Sequence, residues 1–334
     1  MKRNVLITDK LRVAITDRCN LSCFYCHNEG QKLDGRGTFL SLDYIRNMCR
    51  WFRDNDVYVE VVNITGGEPL LHPDLESILS ECSAITNEIH LNTNATLLDR
   101  ERVLALKESG AHDLKIGIDS LFARQTKPSL CAARTRSEDV LDIIRYATTV
   151  MGVELNTVLT YHNYMDIDEM IGWASDSGVR SLKIIQLNDF DPFRLNGRAQ
   201  SPAKYRTDDT TIRDLFYDVR KKYLAKAFHY DWYPSKGRVS VYLKRRDGSE
   251  FELLFCEDVC ASAACGNMFT EIDSSGRLML CPRFHRTVPI DFRGDYDSVS
   301  KVLRYGMDTM CNSFTGKYTL RENHGETIRK QLSV

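Results

Sequence analysis

The sequence predicts an α/β fold, and three observations carry the prediction. Short β-rich runs alternate with longer amphipathic segments through residues 11–187, six such units follow one another, and near residue 190 the rhythm gives way to closely spaced β runs joined by turn residues. Parallel strands need long crossovers, which helices between strands supply. Six β–α units in series therefore argue one parallel sheet with helical crossovers, followed by a small β-hairpin-rich part.

The predicted strands are 11–16, 59–65, 88–94, 113–119, 153–160 and 181–187. Ser41, ahead of the helical pattern 42–54, and Asp99, ahead of the next, carry the short side-chain acceptors that cap helix N-termini. Residues 189–209 are rich in proline, asparagine and polar side chains and read as a linker or a substrate-facing loop, and 210–227 returns to a helical pattern. The runs 238–246 and 249–255 flank Asp247-Gly248, a strong hairpin signal. A second hairpin is predicted for 268–273 and 277–281 around Ser274-Ser275-Gly276, and the polar tail 316–334 is expected to pack lightly. The expected division is thus a barrel-type part over 1–190, a linker and helix over 191–235, a hairpin domain over 236–315 and the tail.

With 334 residues, 43% hydrophobic and 27% charged, the chain can build one large domain and a smaller one. A formal net charge of -1 gives no global reason to expect nucleic acid or an anionic membrane as partner. No apolar stretch approaches the roughly 20 residues that span a bilayer, and residues 1–10 lack a signal-peptide pattern, so a soluble cytoplasmic protein is expected.

Seven of the 11 cysteines fall into two tight groups with ligand-like spacing. Cys49, Cys82 and Cys131 stand alone and are expected to pack as small hydrophobes, while Cys311 follows the second group and is a candidate late ligand. In the first group Cys19, Cys23 and Cys26, spaced C-x3-C-x2-C, come directly after the first predicted strand. Three such thiolates can converge on an iron-sulfur cluster and leave one iron open to a ligand; zinc is the alternative. About forty residues on, the second strand ends in Gly66-Gly67-Glu68-Pro69. Two glycines let the backbone approach a ligand closely, and a carboxylate can receive an ammonium group.

Together these two motifs resemble the cluster loop and the GGEP motif of the radical S-adenosylmethionine (SAM) superfamily. The resemblance implies a partial (β/α)6 TIM-type barrel with its active site at the C-terminal strand ends. It implies a [4Fe-4S] cluster on the three cysteines, SAM bound at the open iron, and cleavage of SAM to a 5'-deoxyadenosyl radical that takes a hydrogen atom from the substrate. An external reductant such as flavodoxin or ferredoxin would supply the electron.

The second group, Cys256, Cys260, Cys265 and Cys281, lies in and around the predicted hairpins and could hold a second cluster, zinc or nothing. The spacing from Cys265 through Gly276 to Cys281 resembles the opening of the SPASM domain in its trimmed twitch form, which implies one auxiliary [4Fe-4S] cluster. Within the superfamily, residues 11–20, 66–71 and 118–120 look most like the GTP 3',8-cyclase of molybdenum-cofactor biosynthesis. That similarity implies that Tyr25 contacts adenine through its backbone, that Thr93 and Ser120 contact SAM, and that Arg18 faces the substrate. Each polar residue is also readable as a strand-end cap or turn residue.

Departures from the cyclase bear on the substrate. His72-Pro73 stand where the cyclase has a basic residue, residues 267–273 lack its arginine-rich run, and the chain ends Leu332-Ser333-Val334 without a Gly-Gly. Since a triphosphate needs several converging cations, GTP is not the expected substrate. Only about ten residues precede the first strand, leaving no room for a leader-peptide recognition domain. A small molecule such as a nucleoside, nucleotide or sugar is therefore expected; the alternatives are maturation of a ribosomally made peptide and, more remotely, a non-catalytic iron-sulfur electron carrier. Asn156, His162 and Gln186, with Asn188 and Asp189, lie at or after the ends of strands five and six and are candidate substrate contacts or solvated loop residues.

Overall fold

The computed structural model describes residues 8–21, 23, 25–26, 37–57, 59–121, 137–187, 212–233, 237–257, 270–281 and 286–309. Cys131, Cys260, Cys265, Cys311, the predicted loop 189–209 and the tail 316–334 lie outside them.

The six expected strands form as β1 (Thr8–Thr16), β2 (Val59–Gly66), β3 (Ile89–Thr93), β4 (Asp113–Gly117), β5 (Gly152–Leu159) and β6 (Ser181–Gln186), each parallel to the next. The crossovers carry α1 (Leu42–Asp54), α2 (Leu75–Cys82), α3 (Arg100–Glu108), α4 (Ser137–Thr148) and α5 (Ile167–Asp176). Both predicted caps are made: Ser41 Oγ accepts from Tyr44 N at 3.2 Å and Asp99 Oδ1 from Arg102 N at 2.7 Å. Cys49 and Cys82 are buried, as expected of packing cysteines.

Beyond residue 190 the chain builds onto the same sheet from both sides. After α6 (Ile212–Leu224), the strands β7 (His229–Tyr233), β8 (Arg238–Lys244) and β9 (Glu250–Cys256) extend it past β6, with β9 parallel to β6. Then β10 (Thr270–Ile272), β11 (Arg277–Cys281) and β12 (Arg286–Pro289) extend it past β1, and α7 (Tyr296–Thr309) follows. Both hairpins turn where the sequence placed them, at Gly248 (φ 84°) and Gly276 (φ 73°), in the left-handed region that favours glycine. The strands β7 and β12 and the helix α7 have no counterpart among the predicted elements. An edge strand exposed on both faces, such as β7, gives no apolar alternation to read, and β12 ends in proline.

Among the described residues the sheet has twelve strands in the order β12-β11-β10-β1-β2-β3-β4-β5-β6-β9-β8-β7, and β1 does not pair with β6. It is an open, partial barrel. One face is apolar: Leu11, Val13, Ile15, Val62, Ile64, Leu91, Leu114, Ile116, Leu155 and Ile184 are buried in the main core with residues of the helices. Each such side chain contributes about 2 kcal/mol through loss of water contact. The opposite face is polar, carrying Lys10, Arg12, Asn63, Asn92, Lys115, Glu154, Asn156 and Lys183 at the alternating positions. In a flat sheet β1 and β6 would stand about 24 Å apart. Yet Lys10 on β1 feels the charges of Lys183 on β6 and Arg238 on β8, so the sheet curls toward its polar face.

Candidate functional site

The C-terminal ends of β1 to β5 meet at one end of this open barrel, and the loop of Cys19, Cys23 and Cys26 rises from the first of them. A clip closes the base of that loop: Leu40 N donates to Ile15 O at 2.8 Å, Thr16 Oγ1 to Thr38 O at 2.9 Å, and Asp17 Oδ1 accepts from Thr38 N. The three cysteines are half-buried and outside any disulfide, and Cys26 N donates to Cys23 O at 3.1 Å.

The Gly-Gly-Glu-Pro segment at the end of β2 is bonded to the same loop. Gly67 N donates to Thr16 O at 2.8 Å and Glu68 N to Arg18 O at 2.7 Å. A Cβ on Gly66, whose φ is +135°, would stand 2.2 Å from Thr16 O, and one on Gly67 would stand 2.1 Å from Arg18 O. The close approach these glycines permit is thus to the strand that carries Cys19. In this structure their demand for glycine is met by that contact, before any ligand is considered.

Glu68 is 1% exposed and its carboxylate is filled from within. Oε1 accepts from Thr93 Oγ1 at 2.7 Å and from Leu70 N at 3.0 Å, and Oε2 accepts from Asn94 N at 2.8 Å. Burial raises its pKa to about 7 against the pull of these donors. Pro69 opens the 3-10 turn Pro69–Leu71 and is buried. Asn20 ties the loop to the end of β3, donating to Thr96 Oγ1 at 2.8 Å and accepting from Asn94 Nδ2 at 2.9 Å.

Across the site, Tyr25 donates its hydroxyl to Asp119 Oδ2, and Asp119 Oδ1 accepts from Val158 N at 3.0 Å. Burial raises the Asp119 pKa to about 6, while the Tyr25 hydroxyl and the Val158 amide oppose the rise. Asn163 braces this corner, donating to Asp119 O at 3.0 Å and Val158 O at 2.9 Å. Ser120 is buried beside Asp119.

The match to the Radical SAM superfamily model covers residues 13–174. A "Probable GTP 3',8-cyclase" of Methanocella arvoryzae is 30% identical over 246 residues, 72% of this chain and 74% of the relative. The chain belongs to the radical SAM superfamily. A second relative with the same name, from Methanosarcina mazei, is 29% identical over 301 residues, 88% of this chain and 84% of its own length. Among solved structures, Streptococcus suis SuiB bound to S-adenosylmethionine matches with TM-score 0.62 at 17% identity, over 90% of this chain and 67% of that one. Native anSMEcpe with bound AdoMet matches with TM-score 0.61 at 12% identity, over 89% of this chain and 81% of that one. These two likenesses show the shared fold.

Superfamily members are enzymes that use a [4Fe-4S] cluster and SAM. The donor set fits the cluster: three soft thiols on a clipped loop, with burial holding Cys19 at about pKa 11 and Cys23 higher still when no iron is present. Iron binding displaces those protons, so loading is coupled to proton release.

The other candidate residues are dispersed. Arg18 donates Nε to Gly37 O at 2.7 Å and lays its guanidinium 4.4 Å from the centre of the Phe39 ring. His162 follows β5, with its backbone N donating to Thr160 Oγ1 at 3.2 Å, and Gln186 is buried at the end of β6. Asn156 stands on the inner face beside Lys183 in register, and its buried Oδ1 finds no hydrogen-bond partner among the described residues. Cys256 ends β9 and Cys281 ends β11, on opposite arms of the sheet.

His72 is structural. Its Nδ1 accepts from Asp74 N at 3.0 Å and its Nε2 lies 2.9 Å from Leu40 O, so the ring is neutral and burial lowers its pKa. It supplies no charge where the cyclase has a cation. The inner face does gather cations, however: Lys115, Lys183 and Arg238 lie within electrostatic reach of Lys10, with Lys115 paired to Glu154 at 3.1 Å. Positions 72 and 267–273 therefore did not exhaust the cations available to an anionic substrate. These inner residues, and Asp119 as partner of Tyr25, were missed in the sequence. The signal was there in Leu114-Lys115-Ile116, Val153-Glu154-Leu155 and Leu182-Lys183-Ile184, where one charge interrupts an apolar run.

Proposed function

We propose that this chain is a radical SAM enzyme acting on a small polar molecule that carries an anionic group, a nucleotide or sugar phosphate in class, bound against the inner face of the barrel. The carrying observation is the meeting of the cysteine loop, Glu68 and Asp119 at one end of a sheet whose polar inner face carries Lys10, Lys115, Lys183 and Arg238. These cations do not require a triphosphate, but the objection to GTP that rested on their scarcity is weakened by them.

In this reading Cys19, Cys23 and Cys26 hold the cluster, which when bound reductively cleaves SAM and so generates the radical that takes hydrogen from the substrate. Gly66 and Gly67 hold the loop against the end of β2. Glu68, with Thr93, forms the wall that meets the SAM ammonium group, and Tyr25 and Ser120 bound its adenosyl end. Asp119 fixes Tyr25. Asn156, whose Oδ1 has no partner among the described residues, orients a hydroxyl or amine of the substrate; Gln186, His162 and Arg18 complete the rim. Cys256, Cys260, Cys265 and Cys281 hold an auxiliary [4Fe-4S] cluster. Flavodoxin or ferredoxin delivers electrons, and the cytoplasm, where both reductants reside, is the compartment. No helix of the described residues is long and apolar enough to cross a membrane.

The test is anaerobic reconstitution followed by iron counting and by assay of 5'-deoxyadenosine after addition of SAM and dithionite. About eight irons and formation of deoxyadenosine are expected. Nucleoside phosphates and sugar phosphates should accelerate SAM cleavage more than the parent neutral nucleosides and sugars. Acceleration by peptides alone would replace the small-molecule reading with peptide maturation.

A further inference from the structure

We infer that Glu88, His90, His112 and Asp113 form a structural site for a divalent transition metal, zinc in class, at the N-terminal end of the barrel, the end opposite the cysteine loop.

The fold brings the four side chains together. Glu88 directly precedes β3 and His90 is its second residue, while His112 directly precedes β4 and Asp113 is its first residue. His90 and Asp113 pair in register across β3–β4, and His112 N donates to Ile89 O at 2.8 Å. His90 Nε2 lies 2.7 Å from Glu88 Oε1 and 3.6 Å from Asp113 Oδ2, and His112 Nδ1 lies 3.4 Å from Asp113 Oδ1. One ligand atom from each of His90, His112 and Asp113 falls within 4.8 Å of the others. Nitrogen and oxygen ligands about 2.0–2.2 Å from a tetrahedral ion stand about 3.3–3.6 Å apart, so small side-chain adjustments complete the shell.

The hydrogen bonding of His90 points to a cation. Burial above all keeps the ring neutral, with its pKa pushed down to about 3, so one ring nitrogen carries a proton and the other a lone pair. With the proton on Nε2, donated to Glu88, Nδ1 is a buried acceptor that has no partner among the described residues. Beside it in register on β2 stands Asn63, 5% exposed like His90, whose Oδ1 is a second buried acceptor with no partner among them. Moving the proton to Nδ1 provides a donor on that side and turns the Nε2 lone pair toward two carboxylates, an arrangement that a cation between them stabilises.

Asp113 is held for this task. Arg180 Nη1 lies 2.7 Å from Oδ1 and 2.9 Å from Oδ2, which leaves each oxygen a further lone pair. The pair fills the space beside Gly152, where a Cβ would stand 1.8 Å from Asp113 Oδ1. Charge permits the ion as well. Glu88 and Asp113 carry two negative charges against the one positive charge of Arg180. Lys115, the cation that acts most strongly on His90, is paired with Glu154 at 3.1 Å, and Lys10, the other lysine that acts on it, lies two strands away on β1. Two histidines and two carboxylates close the shell, so the ion ties the entries of β3 and β4 together and leaves no position for a substrate.

The test takes the full-length chain reconstituted with iron and sulfide and dialyses it against buffered zinc. The parent should bind about one zinc per chain, and zinc-edge X-ray absorption should show nitrogen and oxygen neighbours at about 2.0–2.1 Å with no sulfur at about 2.3 Å. His90→Gln and His112→Gln should each weaken zinc binding by at least about tenfold, with iron content and deoxyadenosine formation as in the parent. The His112 side chain is 45% exposed, so its variant carries the test if His90→Gln fails to fold. A parent that binds no zinc, zinc held through sulfur, or variants that bind zinc as the parent does would each overturn the inference.

Discussion

The two cysteine groups are held by different means. Cys19, Cys23 and Cys26 ride on one loop whose base is clipped at residues 15–18 and 37–40, and whose flanks are bonded to the ends of β2, β3 and β4. Neutral hydrogen bonds and buried carboxylates do the holding, and the buried carboxylates beside the loop, Glu68 and Asp119, each accept from donors on neighbouring strand ends or turns. Cys256 and Cys281 instead end strands on opposite arms of the sheet, and the described charged neighbours of Cys256 are of both signs, Lys183 and Arg238 with Glu252. A site built from one loop is specified locally. A site built from distant strands exists only after the whole sheet has formed and curled.

Independence of the two sites is the sharpest point at which that contrast can be broken. Cys23→Ala should abolish deoxyadenosine formation, with a loss of at least about a thousandfold, while iron on the second group remains; iron and product assays on one preparation decide it. If both clusters vanish together, the sites are coupled and the contrast fails.

Gly66→Ala comes next. A methyl group 2.2 Å from Thr16 O, at φ +135°, cannot be placed without moving β1. First-site iron should drop by an order of magnitude while far-ultraviolet circular dichroism keeps the native sheet signal; full iron loading would show that the loop does not depend on this contact.

Glu68→Ala leaves the Thr93 hydroxyl and the amides of Leu70 and Asn94 without their acceptor, at a cost of about 1–3 kcal/mol for each buried group. The expected result is a fall of several degrees in the unfolding temperature together with weaker SAM binding by calorimetry. Weaker binding with unchanged stability would mean that other groups take over these donors.

The smallest effect belongs to Asp119. Its folded pKa of about 6 lies above the ordinary 3.8, so the native state holds that proton more tightly than the unfolded chain. The corresponding stability is present below pH about 4 and is lost as the pH rises through 6, a change of at most about 3 kcal/mol. Asp119→Asn keeps an oxygen for Val158 N and an amide for the Tyr25 hydroxyl. In cluster-free protein it should flatten that part of the stability curve, measured by denaturant unfolding from pH 4 to 7.

Much of the barrel was legible because the chain repeats one unit, and both hairpins announced themselves with a glycine that takes a positive φ. The first site was legible because its ligands are neighbours in sequence and its motif sits where a strand ends. What stayed hidden depends on curvature. Nothing in Leu182-Lys183-Ile184 says that its lysine will face Lys10, because that proximity arises only when a sheet of this order curls. The partnership of Tyr25 with Asp119, 94 residues apart, was hidden for the same reason. β7 was hidden for another: with Tyr230 55% and Trp232 65% exposed at the edge of the sheet, it lacks the one-sided burial on which pattern reading depends.

The pressing of Gly66 and Gly67 onto Thr16 and Arg18 bears on transplantation. The cysteine loop is not a cassette. Moved into another scaffold as a stretch of sequence, it would arrive without the flat, side-chain-free wall it leans on, and the recipient would have to supply a matching pair of glycines at the end of the adjacent strand. Drift in one segment is likewise constrained by the other, so the smallest unit that can be exchanged between such proteins is the pair of strands, not the motif.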